Sequence, residues 1–308
     1  MKKTPLIRKI TGFAFLIVLF NKTTAQAPPR IQQIFPAATI SYSNIPYAAD
    51  TLQKHLLDIY LPANSKANTP LIIWVHGGAW MLNDKYADMS YMKNTIRRFI
   101  DSGYALASID YRYSTTAPFP AQIQDCNQAV EYLYEHADQY KLDKNKIGLI
   151  GFSAGGHLAS LLALSNNNNV EAFYPRGKKS RFQIKCVLDF YGPSDLVAIF
   201  NNPDTAVNNG RSAVAVLLGA TPIDRPDLAK RASPVTYIDK DDPPFFIVQG
   251  EKDESVPNTQ SKLLSSWLTI TGVKNELTIV PNAPHYGEMF NAEWIRMRLF
   301  RFLRNNLR

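Results

Sequence analysis

Short apolar runs alternate along this chain with segments whose apolar residues recur every three or four positions. The runs occupy residues 55–61, 71–75, 104–109, 146–150, 185–190, 244–249 and 276–280. Several are short continuous apolar runs, as in Leu71-Ile-Ile-Trp-Val75, which predicts strands covered on both faces. Helical spacing falls between them, at about 88–100, 121–139, 154–164, 258–271 and 287–305. In the second of these, Ile123, Cys126, Ala129, Val130 and Leu133 share one helical face. Strand and helix in alternation predict an α/β fold: a mostly parallel central sheet with helices on both faces.

Two stretches interrupt the rhythm. Residues 165–182 carry Asn166 to Asn169 and Arg176 to Lys179, and read as a polar surface loop. Residues 192–234 separate two strands and are too long for a simple crossover. They read either as a small cap insertion over a site or as a surface excursion without a role. Residues 28–50, with Pro28, Pro29, Pro36 and Pro46, read as irregular. There is no internal repeat and no linker, so residues 28–308 are expected to form one domain. At 45% hydrophobic residues the chain has the means to bury a large core.

The N-terminus changes how the charge is read. A basic start precedes an apolar run from Ile10 to Phe20, and Thr-Ala-Gln-Ala follows at 24–27. This is the layout of a secretory signal peptide over residues 1–27, with an uncleaved anchor as the alternative. Export to the periplasm or medium is the expectation, with no stable membrane insertion after cleavage. Of the formal charge of +8, five lysines and arginines lie in this segment, leaving 29 basic against 26 acidic residues. Such a balance removes the electrostatic case for nucleic acid as a partner. The two cysteines, Cys126 and Cys186, fall in a predicted helix and a predicted strand. Export permits a disulfide, but buried free thiols are the expectation.

The chemistry starts at Lys146-Ile-Gly-Leu-Ile-Gly-Phe-Ser-Ala-Gly-Gly-His157. A strand runs into Gly151-Phe-Ser-Ala-Gly155, and a helix with Leu158, Leu161 and Leu162 on one face begins at once. Strand, sharp turn and helix form the context of a nucleophile elbow, with Ser153 at its tip. Side chains two residues from the serine would collide there, so glycines are needed. The helix N-terminus points its positive end at the site. Of the five histidines, His285 follows the last strand, in Pro281-Asn-Ala-Pro-His-Tyr-Gly287, where site groups collect in open α/β sheets. It is the candidate base. His157, in the first turns of the elbow helix, is read as packing or capping. The candidate acid is Asp253, just past strand 244–249. Glu251, Glu254 and Asp195 are its rivals. The order Ser, Asp, His is that of the α/β-hydrolases. Finally, an apolar strand runs into His76-Gly77-Gly78-Ala79-Trp80, a loop whose backbone N–H groups suit an oxyanion, joined by that of Ala154.

These landmarks resemble the α/β-hydrolase esterases of the hormone-sensitive-lipase-like branch, and especially bacterial acetylxylan and feruloyl esterases. The matching segments also include Asp110-Tyr-Arg-Tyr113, Phe119-Pro-Ala-Gln122 and Tyr191-Gly-Pro-Ser-Asp195, so the likeness spans about residues 50–305. It implies the α/β-hydrolase fold and oxyanion donors at Gly78 and Ala79. Glycine is the commoner residue at the place of Ala79. Alanine can serve there if its dihedrals allow, with less room for bulky or tertiary alcohols. His76, Asp110 and Arg112 are expected to brace this loop.

The reading is a serine esterase acting through an acyl-enzyme on short-chain esters, such as acetyl or feruloyl groups on plant polysaccharide. No cofactor is expected, and no His/Cys/Asp spacing suggests a metal. A serine peptidase or a long-chain lipase on the same fold is the alternative. The peptidase kind usually needs a large gating domain, and a lipase an apolar lid.

Overall fold

The computed structural model describes residues 28–168, 170–175, 179–200 and 212–307. The expected signal segment 1–27, residues 169 and 176–178 of the polar loop and residues 201–211 of the insertion lie outside the described residues. The seven predicted strands are all present: β2 (Leu56–Leu61), β3 (Thr69–Val75), β4 (Ala105–Ile109), β5 (Leu142–Phe152), β6 (Ile184–Phe190), β7 (Phe245–Gly250) and β8 (Asn275–Val280). They join β1 (Ile40–Pro46) in an eight-stranded sheet of order β1-β2-β4-β3-β5-β6-β7-β8. The β1–β2 and β2–β4 pairs are antiparallel and every later pair is parallel.

β1 lies in the segment read as irregular. It is an edge strand with Ile40 and Tyr42 exposed, and its register slips between Tyr42 and Ile45. At that bulge Asn44 takes a φ of +54°, and its N–H turns onto Asp58 Oδ1 at 2.8 Å. An edge strand with a bulge and a terminal proline leaves little periodic signal.

The unbroken apolar runs serve two cores at once. In β3, Leu71, Ile73 and Val75 join one buried cluster while Ile72 and Trp74 join the other. Alternate side chains of one strand point to opposite faces, so a strand buried on both has no polar position to spare. The first cluster packs against α3 (Ala121–Glu135) and α4 (Ala154–Ser165), the second against α1 (Pro29–Gln32), α2 (Lys93–Asp101) and α9 (Glu293–Asn306). α8 (Asn258–Thr271) covers the β7–β8 end. Three helices are shorter than their predicted spans. Asp88, at φ +69°, interrupts the first. Gly287, at φ +125°, opens a short turn before α9, and α3 ends at Glu135. Cys126 and Cys186 are free and buried.

α4 is buried all round, not along one face. The reason is the 192–234 insertion, which contributes α5 (Leu196–Phe200), α6 (Ala213–Leu218) and α7 (Pro226–Ala232). Leu196, Val214, Leu217, Ala229 and Ala232 join the same cluster as Leu158 and Leu161. The described part of the insertion is therefore built into the core. His157 fastens it further. Its Nε2–H donates to the Ala232 carbonyl at 2.7 Å, and its Nδ1 accepts from the Trp80 indole at 3.2 Å. Only the neutral ring protonated at Nε2 makes both bonds, and complete burial pushes its pKa down to about 4.

Two outcomes follow from this packing. A Cβ at Gly155 would stand 2.1 Å from the Val75 carbonyl oxygen. Gly155→Ala should therefore cost about 3 kcal/mol or more, read as a lowered urea midpoint. An unchanged midpoint would mean that the elbow does not need its glycine. For His157, the unfolded ring takes a proton near its ordinary pKa and the folded one only near 4. Between those values the unfolded chain binds more protons, so this ring's share of stability falls as pH falls. The full effect is about 3 kcal/mol. Asp189, buried and pushed up to about 6, acts in the opposite sense. It is common to wild type and His157→Asn, so the difference in stability between the two proteins isolates the histidine. That difference should shrink from pH 6.5 to pH 4, and a pH-independent difference would sink the assignment.

Candidate active site

Parallel strands deliver their following loops to one edge of the sheet, and four such loops meet here. The first junction is β5 to α4. Ser153 sits at φ 53° and ψ −118°, outside the regions that L-residues favour. The chain has to reverse within one residue because α4 passes close behind the strand. A Cβ at Gly151 would lie 2.1 Å from the Gly155 carbonyl oxygen. The Ser153 N–H is held by the Phe190 carbonyl at 2.9 Å, which fixes the serine against β6.

The loop after β8 brings His285 to this serine. His285 Nε2 lies 2.8 Å from Ser153 Oγ, and Nδ1 lies 2.7 Å from Asp253 Oδ2. Asp253 comes from the loop after β7, and its side chain is fully buried. Its Oδ1 accepts the N–H groups of Ser255 and Val256 at 2.9 and 2.8 Å. Its Oδ2 also accepts from Gln249 Nε2 at 2.7 Å. A carboxyl surrounded by donors is an ionised acceptor, so the proton between it and His285 belongs to Nδ1. That leaves the Nε2 lone pair facing the serine hydroxyl.

Gln249 was not singled out in the sequence. Ser261 Oγ donates to its Oε1 at 2.8 Å, so the amide is oriented and its Nε2 faces the carboxylate and the Val256 carbonyl. The available signal was a lone amide in the otherwise apolar run Phe245-Phe-Ile-Val-Gln-Gly250. The rivals to Asp253 have other tasks. Asp195 Oδ1 accepts the N–H groups of Val197 and Ala198, both at 2.9 Å, and so caps α5. Glu251 is exposed and accepts the Asn282 N–H at 2.8 Å, and Glu254 is exposed.

The loop after β3 faces the serine. Gly78, Ala79 and Trp80 all have positive φ, at 124°, 52° and 59°. The Gly78 carbonyl accepts from both Met81 and Leu82 at 2.9 Å, closing a tight turn. A Cβ at Gly78 would come within 2.4 Å of the Leu82 oxygen, so this position requires glycine. Ala79 does adopt the left-handed dihedral, at a cost of about 1 kcal/mol. The Gly77 N–H is committed to Asp88 Oδ2 at 2.9 Å, which leaves it no part in holding a substrate. Ala154 is the first residue of α4, and its N–H has no acceptor within the helix.

His76 and Asp110 brace this loop as expected. The His76 ring stacks on Tyr111 at 4.3 Å, and the Tyr111 hydroxyl donates to the His76 carbonyl at 2.8 Å. Asp110 accepts from the Lys85 N–H at 3.1 Å and from Lys54 Nζ at 3.0 Å. Beneath the loop, Lys85 Nζ sits 3.7 Å from Asp58 and 3.6 Å from Asp110, all three buried. Arg112 differs from the expectation. Its guanidinium grips Asp125 on α3, at 2.6 Å for the shortest contact, and so ties its own segment to that helix and not to the glycine loop.

Ser153, His285, Gly78, Ala79 and Ala154 line one cavity of about 520 Å³. Ile199, Val214 and Val256 give it an aliphatic wall, while Asn83, Asp88, Tyr191 and Tyr286 give it polar and aromatic positions. Leu82 and Tyr286 are exposed. Among the described residues no group of three or more His, Cys, Asp or Glu side chains is arranged to hold a metal ion. None of the described helices is long and apolar enough to cross a membrane.

Comparison with known proteins agrees with this geometry. The BD-FAE family model matches residues 57–268. Esterase LipQ of Mycobacterium tuberculosis is 32% identical over 83% of this chain, which spans 59% of LipQ's length. A truncated carbohydrate esterase from gut microbiota superposes with a TM-score of 0.78 at 32% identity, covering 86% of this chain and 95% of that one. A bifunctional GH43-CE protein of Bacteroides eggerthii gives the same TM-score at 34% identity, covering 86% of this chain and 35% of its own. A chain with this sheet order, this elbow and a family match over most of its length belongs to the BD-FAE family and has the α/β-hydrolase fold.

Proposed function

We propose that the protein hydrolyses short-chain carboxylic esters through an acyl-enzyme on Ser153. The observation that carries this reading is the continuous chain of bonds from Asp253 through His285 to Ser153 Oγ, at 2.7 and 2.8 Å. Oγ attacks the ester carbonyl carbon as its proton passes to His285 Nε2, and Asp253 stabilises the imidazolium. The N–H groups of Gly78, Ala79 and Ala154 receive the developing oxyanion. The alcohol leaves with the proton from Nε2. Water then attacks the acyl-enzyme by the same route in reverse, and Ser153 is restored.

For the substrate, we take the alcohol to be a carbohydrate and the acyl group to be small, such as acetyl. Two similar solved structures are carbohydrate esterases or carry the bifunctional GH43-CE description. The aliphatic wall suits a short acyl chain, and the polar and aromatic positions suit a polyhydroxylic leaving group.

The reading is tested with p-nitrophenyl acetate, butyrate and octanoate. Turnover should be highest on acetate, fall with chain length and be lost in Ser153→Ala by at least about a thousandfold. Acetylated xylan should then release acetate. A folded wild type no faster than Ser153→Ala on all three esters would refute the esterase reading, and a maximum on octanoate would favour a lipase. Ala79→Gly should raise stability by up to about 1 kcal/mol in thermal unfolding, because the left-handed dihedral no longer carries a Cβ. It should also improve turnover of tert-butyl acetate relative to p-nitrophenyl acetate. If that ratio stays fixed, the alanine methyl does not limit the alcohol.

A further inference from the structure

Among the described residues, Asp88 is the one carboxylate lining the cavity that the mechanism above does not use. It lies 11 residues beyond Gly77, in the segment between the glycine loop and α2, at a φ of +69°. Its two oxygens face opposite ways. Oδ2 accepts the Gly77 N–H at 2.9 Å. Oδ1 accepts the Tyr91 hydroxyl at 2.7 Å, and that hydroxyl lies 2.6 Å from the hydroxyl of Tyr191. The Tyr191 ring in turn packs against His285, with centroids 4.9 Å apart and planes at 59°. Tyr191 is itself held at a φ of +48°, with its N–H on the Val248 carbonyl at 2.8 Å.

This geometry points to Asp88 as a positioning residue that locks the oxyanion loop to the tyrosine beside His285. The inference rests on the serine-esterase reading and deepens it. The peptide groups on either side of Gly77 are both held. Its N–H is held by Asp88, and its carbonyl accepts from His76 Nδ1–H at 2.7 Å and from Asn83 at 3.3 Å. The Gly77 carbonyl shares its peptide plane with the Gly78 N–H and so fixes its direction, and the next plane, which carries the Ala79 N–H, is held where the Gly78 carbonyl accepts from Met81 and Leu82. An oxyanion donor is useful only when it is aimed before the charge forms. Asp88 also forms no ion pair with a lysine or arginine among the described residues. Burial pushes its carboxyl above the usual range, while the donors Gly77 and Tyr91 and the nearby His76 and His285 favour the charged form. A carboxylate kept in such a place by two donors costs stability, so its geometric role is the property that the site gains.

The proposal separates from a plain stabilising role through kinetics. Asp88→Ala and Asp88→Asn are compared with wild type and with Tyr91→Phe. The carboxamide of Asp88→Asn keeps the shape but offers only one acceptor oxygen to the two donors. Asp88→Ala and Asp88→Asn should lower kcat on p-nitrophenyl acetate about 10- to 100-fold with KM within about twofold, because the loss is confined to the transition state. Tyr91→Phe should lose less, about 3- to 10-fold, and Asp88→Ala combined with Tyr91→Phe should lose no more than Asp88→Ala alone. The second readout is the rate at which a fluorophosphonate labels Ser153, which needs the same oxyanion donors but no knowledge of the natural ester. It should fall in parallel with kcat. Folded Asp88 variants with wild-type kcat and labelling overturn the proposal, as does a loss confined to KM. Where Asp88→Ala does not fold, unaltered kcat and labelling in Tyr91→Phe overturn it. A wild type that the fluorophosphonate does not label at all overturns the serine-esterase reading itself, and this inference falls with it.

Discussion

The close approach of helix α4 to the edge of the sheet is the constraint from which the site is built. The helix passes so near β3 and β5 that Gly155 has no room for a Cβ beside the Val75 carbonyl, and Gly151 none beside Gly155. The chain can enter such a helix from a strand only by a reversal at one residue, and Ser153 takes the strained dihedral that this needs. Its side chain is then carried into the cavity while its neighbours Phe152 and Ala154 are core. The strain is held in place by α4, which is buried on every side. The insertion after β6 completes that burial, so a segment far from the serine in sequence holds the serine's helix against the sheet.

The second half of the apparatus is held by charge. The glycine loop has little side chain of its own with which to anchor, so its charged anchors come from its neighbours: Asp110, Lys54, Lys85 and Asp58 beneath it and Asp88 at its side, with the neutral His157 behind Trp80. Buried ionic groups of this kind are weak stabilisers on balance, because desolvation offsets much of their attraction. What they supply is direction. Each is bonded at a defined atom, and together they fix a backbone that would otherwise have many conformations.

The fold and the triad were legible because each depends on local pattern. Short apolar runs marked seven strands, and Ser153, Asp253 and His285 each stand in the first residues after one of them. Gly78 and Ala79 were proposed as oxyanion donors by resemblance, and the left-handed dihedral of Ala79 is consistent with the commoner glycine there. Residues whose role depends on distant partners were not legible. Gln249 is defined by Ser261 and Asp253, Asp88 by Gly77 and, through Tyr91, by Tyr191, and His157 by Ala232. β1 escaped notice because an edge strand has only one neighbour to satisfy. Arg112 was assigned to the wrong element for the same reason: its charge was evident, while its partner Asp125 was one of several acids in reach along the chain.

The buried cluster of Asp58, Lys85 and Asp110 also bears on how such a chain can change over generations. Removing Lys85 leaves Asp58 without a cation in the interior, at a cost of about 3–5 kcal/mol, which is a large part of a domain's whole stability. Replacing the set together by apolar groups of matching shape has no such cost. Single substitutions therefore lead downhill before a second can lead back up. Drift at these three positions is expected to be slow and correlated, while the exposed faces of α8 and α9 are free to vary one residue at a time.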